Sequence, residues 1–224
     1  MRIFRNSIFL ILAVTLVNCG EEITRQNKFG LTEEDQKSII MGFVMNTTYS
    51  NTGNGTVLDS SLGVEWKKCT QGQTFRSASN DCQGTVSATY IPVNAQTYGA
   101  ALKTYCNVNG HDCNSLSLPP TLKSPINNVT SEAYSSCADD RTAGQSDWRV
   151  PTYLELKKLA ASGQNMLTTF FPNTVDEYYW SSWSDENDVT GKTAKAISFS
   201  GTNFGNEKSF NKDTRFYVRC VRTR

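Results

Sequence analysis

The sequence is poor in residues that bind metals or act as general bases. Its 224 residues include one histidine, His111, and its seven cysteines form no C-x-x-C pair. Structural zinc sites need several Cys and His ligands at short spacings, so a zinc site is disfavoured. His111 lies in a turn-like Asn-Gly-His-Asp-Cys segment without an activated nucleophile beside it. We therefore expect a protein that is not an enzyme and that uses no metal or other cofactor.

The sequence also lacks an excess of charge and a membrane-spanning hydrophobic run. Its formal net charge is +1, whereas nucleic-acid-binding proteins usually carry a basic excess, so we expect no nucleic-acid partner. The apolar run at residues 8–17 is shorter than the roughly 20 residues that span a bilayer. It follows Arg2 and Arg5, an arrangement typical of a secretory signal peptide.

The end of this leader resembles a lipobox. It reads Leu16-Val17-Asn18-Cys19-Gly20, with Asn18 in place of the small residue that usually precedes the cysteine. We predict a signal peptide at residues 1–18 and lipid attachment at Cys19. The anchor would hold the protein in the bacterial cell envelope, at the outer membrane in our interpretation, with the domain exposed at the surface.

The chain after Cys19 divides into a tether and one domain. Residues 19–55 are predicted to be a tether with one short amphipathic helix, because Ile39, Ile40, Phe43 and Val44 recur at helical spacing. Such a stripe fits packing on its own domain and docking on a partner or membrane, and both alternatives stay open. Residues 56–224 are long enough for one domain.

The domain's patterning predicts an α+β fold. A hairpin is expected from residues 56–59 and 63–66, and helices at residues 95–106 and after Pro151. Residues 107–145 are expected to form a long excursion tied down by cysteines. A three-stranded meander is predicted at residues 194–199, 204–210 and 215–221, with Phe216, Val218 and Cys220 toward the core.

The tryptophans are predicted to be core anchors, because each offers a large apolar face with one N–H donor. They are Trp66, Trp148, Trp180 and Trp183. Trp183 is flanked by serines and Asp185, so we expect it to be the most exposed and to be a candidate ligand contact.

Four segments in order resemble the Lcl C-terminal domain family. They are residues 58–69 (Leu-Asp-Ser-Ser-Leu-Gly-Val-Glu-Trp-Lys-Lys-Cys), 146–156 (containing Ser-Asp-Trp-Arg-Val-Pro-Thr), 179–182 (Tyr-Trp-Ser-Ser) and 217–222 (Tyr-Val-Arg-Cys-Val-Arg). The resemblance implies an extracytoplasmic, C-type-lectin-like domain of two helices and a twisted antiparallel sheet, stapled by disulfides.

Six cysteines remain after Cys19, an even set that indicates up to three disulfides in an oxidising compartment. The short loop between Cys69 and Cys82 predicts that these two pair. By analogy with lectin-like folds we favour Cys106–Cys220 with Cys113–Cys137. Spacing leaves open the alternative of Cys106–Cys113 with Cys137–Cys220.

The resemblance also implies a non-catalytic binding module whose partner is a sulfated glycan or an extracellular matrix protein. Basic residues of the predicted meander could hold sulfate, since a guanidinium donates two parallel hydrogen bonds. The predicted ligand contacts are Lys208, Lys212, Arg215, Tyr217, Arg219 and Trp183.

Two alternative functions remain. One is a structural or envelope-maintenance lipoprotein without a glycan ligand. The other is a calcium-dependent lectin using Asp185, Glu186, Asn187 and Asp188, although the Glu-Pro-Asn and Trp-Asn-Asp signatures of such lectins are absent.

Overall fold

A four-stranded antiparallel sheet joins the two ends of the described chain. The computed structural model describes residues 48–84, 97–106, 113 and 131–224. The predicted first hairpin is confirmed, because β2 (Thr56–Asp59) pairs with β3 (Val64–Lys67). The outer neighbours are β1 (Tyr49–Asn51), which pairs with β2, and β11 (Val221–Thr223), which pairs with β3. This sheet therefore begins before Thr56, within the segment predicted as a tether.

Several predictions concern residues outside the described ranges. They are the leader, the lipid attachment at Cys19, the amphipathic helix and the turn at His111. No helix within the described ranges is long and apolar enough to cross a membrane.

A second sheet contains two of the three predicted meander strands. β7 (Tyr178–Ser184), β8 (Thr193–Ser198) and β9 (Glu207–Asn211) lie side by side and antiparallel. The third predicted strand is wrong, because residues 215–221 divide between two sheets. β10 (Arg215–Phe216) pairs with β6 (Lys103–Thr104), whereas β11 joins the first sheet. Residues 217–221 are at most 5% exposed, so this stretch crosses the interior and has no single core-facing side.

Three helices lie within the described residues: α1 (Glu132–Ala138), α2 (Tyr153–Ala161) and α3 (Gln164–Phe170). α2 confirms the helix predicted after Pro151, although Pro151 precedes the helix and Thr152 caps it. The Thr152 hydroxyl accepts from the Glu155 N–H, and the Glu155 carboxylate accepts from the Thr152 N–H. Arg149 donates two hydrogen bonds to the same carboxylate and so fixes the segment that leads into the helix.

The helix predicted at residues 95–106 is wrong for its described part. Residues 97–100 form a turn in which Tyr98 and Gly99 have φ angles of 50° and 84°. Gly99 packs so closely on Gly84 that a Cβ on Gly99 would overlap the Gly84 backbone. A right-handed helix cannot continue through backbone of this hand. The apolar spacing instead belongs to a turn followed by β6.

A small hairpin of β4 (Gln73–Arg76) and β5 (Asp81–Gly84) carries the first disulfide. The predicted Cys69–Cys82 bond is confirmed. The favoured pairing of the other four is wrong, and the alternative is found: Cys106–Cys113 and Cys137–Cys220. The favoured pairing required a helix ending at Cys106. Cys106 instead follows β6, and α1 brings the Cys137 Cα to 5.6 Å from that of Cys220.

The core is built around three of the four tryptophans, as predicted. Trp66, Trp148 and Trp180 are at most 3% exposed, and the Trp180 indole donates to the Lys103 carbonyl at 3.0 Å. Helices and antiparallel sheets packed around this core, with three disulfides, confirm the α+β class. The C-type-lectin-like topology stays a prediction.

Candidate functional site

The basic residues predicted to contact a ligand do not share one surface. Lys212 is 0% exposed, Arg219 1% and Tyr217 5%, whereas Lys208 and Arg215 are exposed. The prediction of an exposed basic meander is therefore wrong for the first three residues. Tyr217 and Arg219 are buried because residues 215–221 do not form one surface strand: their two ends pair with different sheets, and the residues between them pass through the interior.

Arg219 is a buried cation that joins β3 to the loop after α3. Its guanidinium donates to the carbonyl oxygens of Lys67 and Lys68 and to the Thr174 hydroxyl. The Phe171 ring centre lies 4.8 Å from the guanidinium carbon, a favourable contact for a desolvated cation. Burial lowers the pKa of this guanidinium. The contacts give Arg219 a structural role.

Lys212 and Arg222 are also engaged by the domain itself. The Lys212 ammonium lies 5.3 Å from the Tyr105 ring centre, in the interior. Arg222 forms ion pairs with Asp147 at 2.7 Å and Glu65 at 2.8 Å. Hydrogen bonds to these two carboxylates raise the pKa of Arg222. Neither cation is available for an external anion without breaking these contacts.

Lys208 lies beside a cluster of aromatic rings, and Arg215 directly precedes one member of that cluster, Phe216, in β10. Tyr178, Phe210 and Phe216 are half-buried, and their ring centres are 4.6–5.4 Å apart. Phe210 and Phe216 pack edge-to-face against the buried Trp180, and Tyr178 packs on both of these phenylalanines. We call these three half-buried residues the aromatic–basic surface, together with Lys208, whose ammonium lies over Phe210, and Arg215, the chain neighbour of Phe216.

Both cations of the aromatic–basic surface are only weakly engaged. The Lys208 ammonium lies 5.0 Å from the Phe210 ring centre and forms no ion pair with a described residue. The Arg215 side chain is 59% exposed. Its guanidinium donates to the Leu102 carbonyl at 3.0 Å and lies 3.9 Å from the Glu132 carboxylate. An incoming anion can therefore reach both groups without opening a buried contact.

A polar cavity of about 190 Å³ lies at the edge strand β9, on the side of the strand that carries Glu207 and Ser209. We call it the β9 cavity; it is lined by Asp185, Asn187, Lys195, Glu207, Lys208 and Ser209. Lys195 is paired with Glu186 at 2.7 Å, and Glu207 with Lys157 at 2.6 Å. Hydrogen bonds from Lys157 and Tyr153 lower the pKa of the Glu207 carboxyl.

The carboxylates of the acidic loop, the alternative calcium site, accept hydrogen bonds from the loop and from neighbouring residues of the same chain. Burial alone would raise the pKa of the Asp188 carboxyl, but hydrogen bonds from Thr190 and Thr193 hold it well below its usual range. The Asp185 carboxylate accepts from the Asn187 N–H at 2.9 Å. Within the ranges that the structure covers, no three Asp, Glu, His or Cys residues are grouped to hold a metal ion.

A family model described as the Lcl C-terminal domain matches residues 55–222. The chain belongs to the Lcl C-terminal domain family. The match confirms the resemblance carried by the four sequence segments, and membership indicates an extracytoplasmic domain. No curated protein matches the chain significantly.

In this Lcl C-terminal domain, Trp183 does not line the β9 cavity and is linked to it through Tyr153. It is half-buried, and its ring centre is 5.5 Å from that of Tyr153. The Tyr153 hydroxyl donates to Glu207, which lines the cavity. The buried Trp183 N–H has no partner among the described residues. Trp183 therefore packs on Tyr153, and Tyr153 in turn forms a hydrogen bond with the Glu207 side chain.

Sequence reasoning missed the aromatic half of the Lcl C-terminal domain's aromatic–basic surface. Tyr178 and Trp180 are two residues apart on β7, and Lys208 and Phe210 are two residues apart on β9. The members of each pair therefore point to the same side of the second sheet. This two-residue spacing was the sequence signal from which the shared side of these aromatic residues could have been predicted. The position of Phe216 could not be predicted in this way, because it depends on the long-range pairing of β10 with β6.

Proposed function

We propose that this chain is a lipoprotein of the bacterial cell envelope, anchored at Cys19, whose Lcl C-terminal domain is a non-catalytic binding module for an anionic glycan. The leader and the Leu-Val-Asn-Cys-Gly segment support the anchor. Family membership and three disulfides support a domain outside the cytoplasm. Binding would require neither a metal ion nor chemical turnover.

The aromatic–basic surface is the observation that carries the proposed ligand class. The Arg215 guanidinium can donate two parallel hydrogen bonds to a sulfate or carboxylate, and the Lys208 ammonium adds a point charge. The half-buried rings of Tyr178, Phe210 and Phe216 provide an apolar face beside these charges. A ligand with anionic groups on a ring-bearing backbone fits both features, and the sulfated polysaccharides suggested by the family resemblance are of this kind.

Retention of the full-length protein on immobilised heparin tests the proposal. The wild type should be retained at low salt and released as salt rises, because exposed charges are screened beyond about 8 Å at physiological ionic strength. EDTA should leave retention unchanged. Lys208→Gln with Arg215→Gln should weaken binding by roughly twofold to thirtyfold, since exposed ion pairs contribute about 0.2–1 kcal/mol each.

The matched control replaces two exposed cations elsewhere, Lys158→Gln with Arg224→Gln, and should behave like the wild type. Equal loss in both double variants would mean that only net charge matters and would contradict the assigned surface. Loss of retention with EDTA would favour the calcium-dependent lectin. Binding to an immobilised matrix protein but not to heparin would replace the glycan with a protein partner.

The anchor has its own test. Metabolic labelling with a fatty-acid probe should label the wild-type protein, and Cys19→Ser should abolish the label and release the protein from the detergent phase. An unlabelled wild-type protein would contradict the lipoprotein assignment.

A structural lipoprotein without a glycan ligand is the second candidate. It is favoured by the burial of Lys212 and Arg219 and by the ion pairs of Arg222, which engage three basic residues of the C-terminal segment internally. Absence of heparin retention by the wild type at low salt would favour this alternative.

A further inference from the structure

We infer that the β9 cavity is a subsite for a neutral, hydroxyl-bearing sugar ring of the glycan that binds the aromatic–basic surface. This inference rests on the proposed function and extends it, because it requires the ligand to be recognised as a carbohydrate and not only as a polyanion.

The composition of the lining disfavours two classes of occupant, apolar groups and groups of large net charge. All six lining residues are polar, so the cavity offers no aromatic or aliphatic wall to an apolar group. The carboxylates of Asp185 and Glu207 match the ammonium groups of Lys195 and Lys208 in number, so the formal charge cancels. A group with a large net charge would therefore gain little from the cavity, whereas a neutral polar group would not be repelled.

The hydrogen-bonding capacity of the lining fits hydroxyl groups, which both donate and accept. Lys195 forms an ion pair with Glu186, and Glu207 forms one with Lys157. Neither Glu186 nor Lys157 lines the cavity. The Ser209 hydroxyl makes no hydrogen bond with a described residue. The Asn187 amide makes only a long contact, 3.4 Å to Asp185. Ser209 and Asn187 thus offer both donors and acceptors to a ligand.

Size and position connect the cavity to the aromatic–basic surface. Its volume of about 190 Å³ is below the roughly 300–1,000 Å³ of pockets for drug-sized ligands, so a single ring is the appropriate occupant. Lys208 lines the cavity, and its ammonium lies over Phe210. Glu207 and Ser209 lie on the opposite side of β9 from Lys208 and Phe210, and β9 is an edge strand. A chain whose anionic group pairs with Lys208 can therefore place an adjacent ring in the cavity by passing around this edge.

The test compares heparin with sodium polyphosphate, a polyanion without sugar rings. Affinities for the full-length protein would be measured by biolayer interferometry. Asn187→Ala with Ser209→Ala should weaken heparin binding about threefold to tenfold, the effect of losing one or two hydrogen bonds. Polyphosphate binding should be unchanged, because these substitutions alter no charge.

The matched control is Thr202→Ala with Asn203→Ala, an exposed hydroxyl and amide outside the lining, which should leave both affinities unchanged. If the wild type binds heparin but the cavity variant does so equally well, or loses both ligands equally, the subsite is overturned while the proposed function stands. If the wild type binds neither polyanion, both are overturned. Matching circular dichroism spectra and melting temperatures would exclude misfolding of the variant.

Discussion

Replacing Arg219 with methionine should destabilise the domain because the guanidinium is an interior crosslink. Arg219 is 1% exposed and donates to two backbone carbonyls and two threonine hydroxyls, those of Thr70 and Thr174. Methionine retains much of the side-chain volume and removes all four hydrogen bonds. An Arg219 that served only as a ligand contact would, in contrast, give weaker binding without loss of stability.

The size of the effect follows from two opposing contributions. A hydrogen bond from a charged donor contributes about 1.5–3 kcal/mol, and a buried acceptor left unsatisfied costs about 1–3 kcal/mol. Removing a buried charge also removes its desolvation cost, which offsets part of this loss. We therefore expect the free energy of unfolding of Arg219→Met to fall by about 2–4 kcal/mol rather than by the sum of four bonds.

Urea unfolding of the oxidised full-length protein, followed by tryptophan fluorescence, measures this change. Arg215→Met is the matched control, since the Arg215 side chain is 59% exposed, and it should change stability by less than about 0.5 kcal/mol. A loss below about 1 kcal/mol for Arg219→Met, or equal losses for the two variants, would refute the structural role of Arg219.

Two further predictions concern the internal links of the domain. Peptide mapping without reduction should recover Cys106–Cys113 and Cys137–Cys220, and removing the second bond should cost about 2–5 kcal/mol; a Cys106–Cys220 peptide would contradict the fold. Burial alone would raise the pKa of Asp140, but the Lys67 ammonium and hydrogen bonds from Lys67 and Thr142 lower it. The stabilisation from this carboxylate is complete above its unfolded pKa of about 3.9 and is lost as pH falls through the lower folded-state value. Asp140→Asn should therefore cost about 3 kcal/mol at pH 7 and much less near pH 2, and a pH-independent cost would contradict the ion pair.

Local patterns predicted those parts of the fold whose partners are close in sequence. The hairpin of β2 and β3, helix α2 and the Cys69–Cys82 bond each depend on signals within about fifteen residues. The capping pair Thr152 and Glu155 shows why such predictions succeed, because the helix start is fixed by residues three apart.

Long-range pairing explains the failures. The apolar spacing at residues 95–106 suits a helix, but the close approach of Gly99 to Gly84 and the pairing of β6 with β10 override it. Alternation at residues 215–221 suits a surface strand, yet partners more than 100 residues away divide it between two sheets. The burial of Tyr217 and Arg219 follows from that division.

Hydrogen–deuterium exchange of the full-length protein with and without a heparin oligosaccharide tests the central claim most directly. Binding at the aromatic–basic surface should slow amide exchange in β9, Glu207–Asn211, and in β10, Arg215–Phe216. The segment that contains α3, Gln164–Phe170, should exchange at an unchanged rate. Unchanged exchange in β9 and β10 at saturating oligosaccharide, or slowing confined to other segments, would contradict the assignment of this surface.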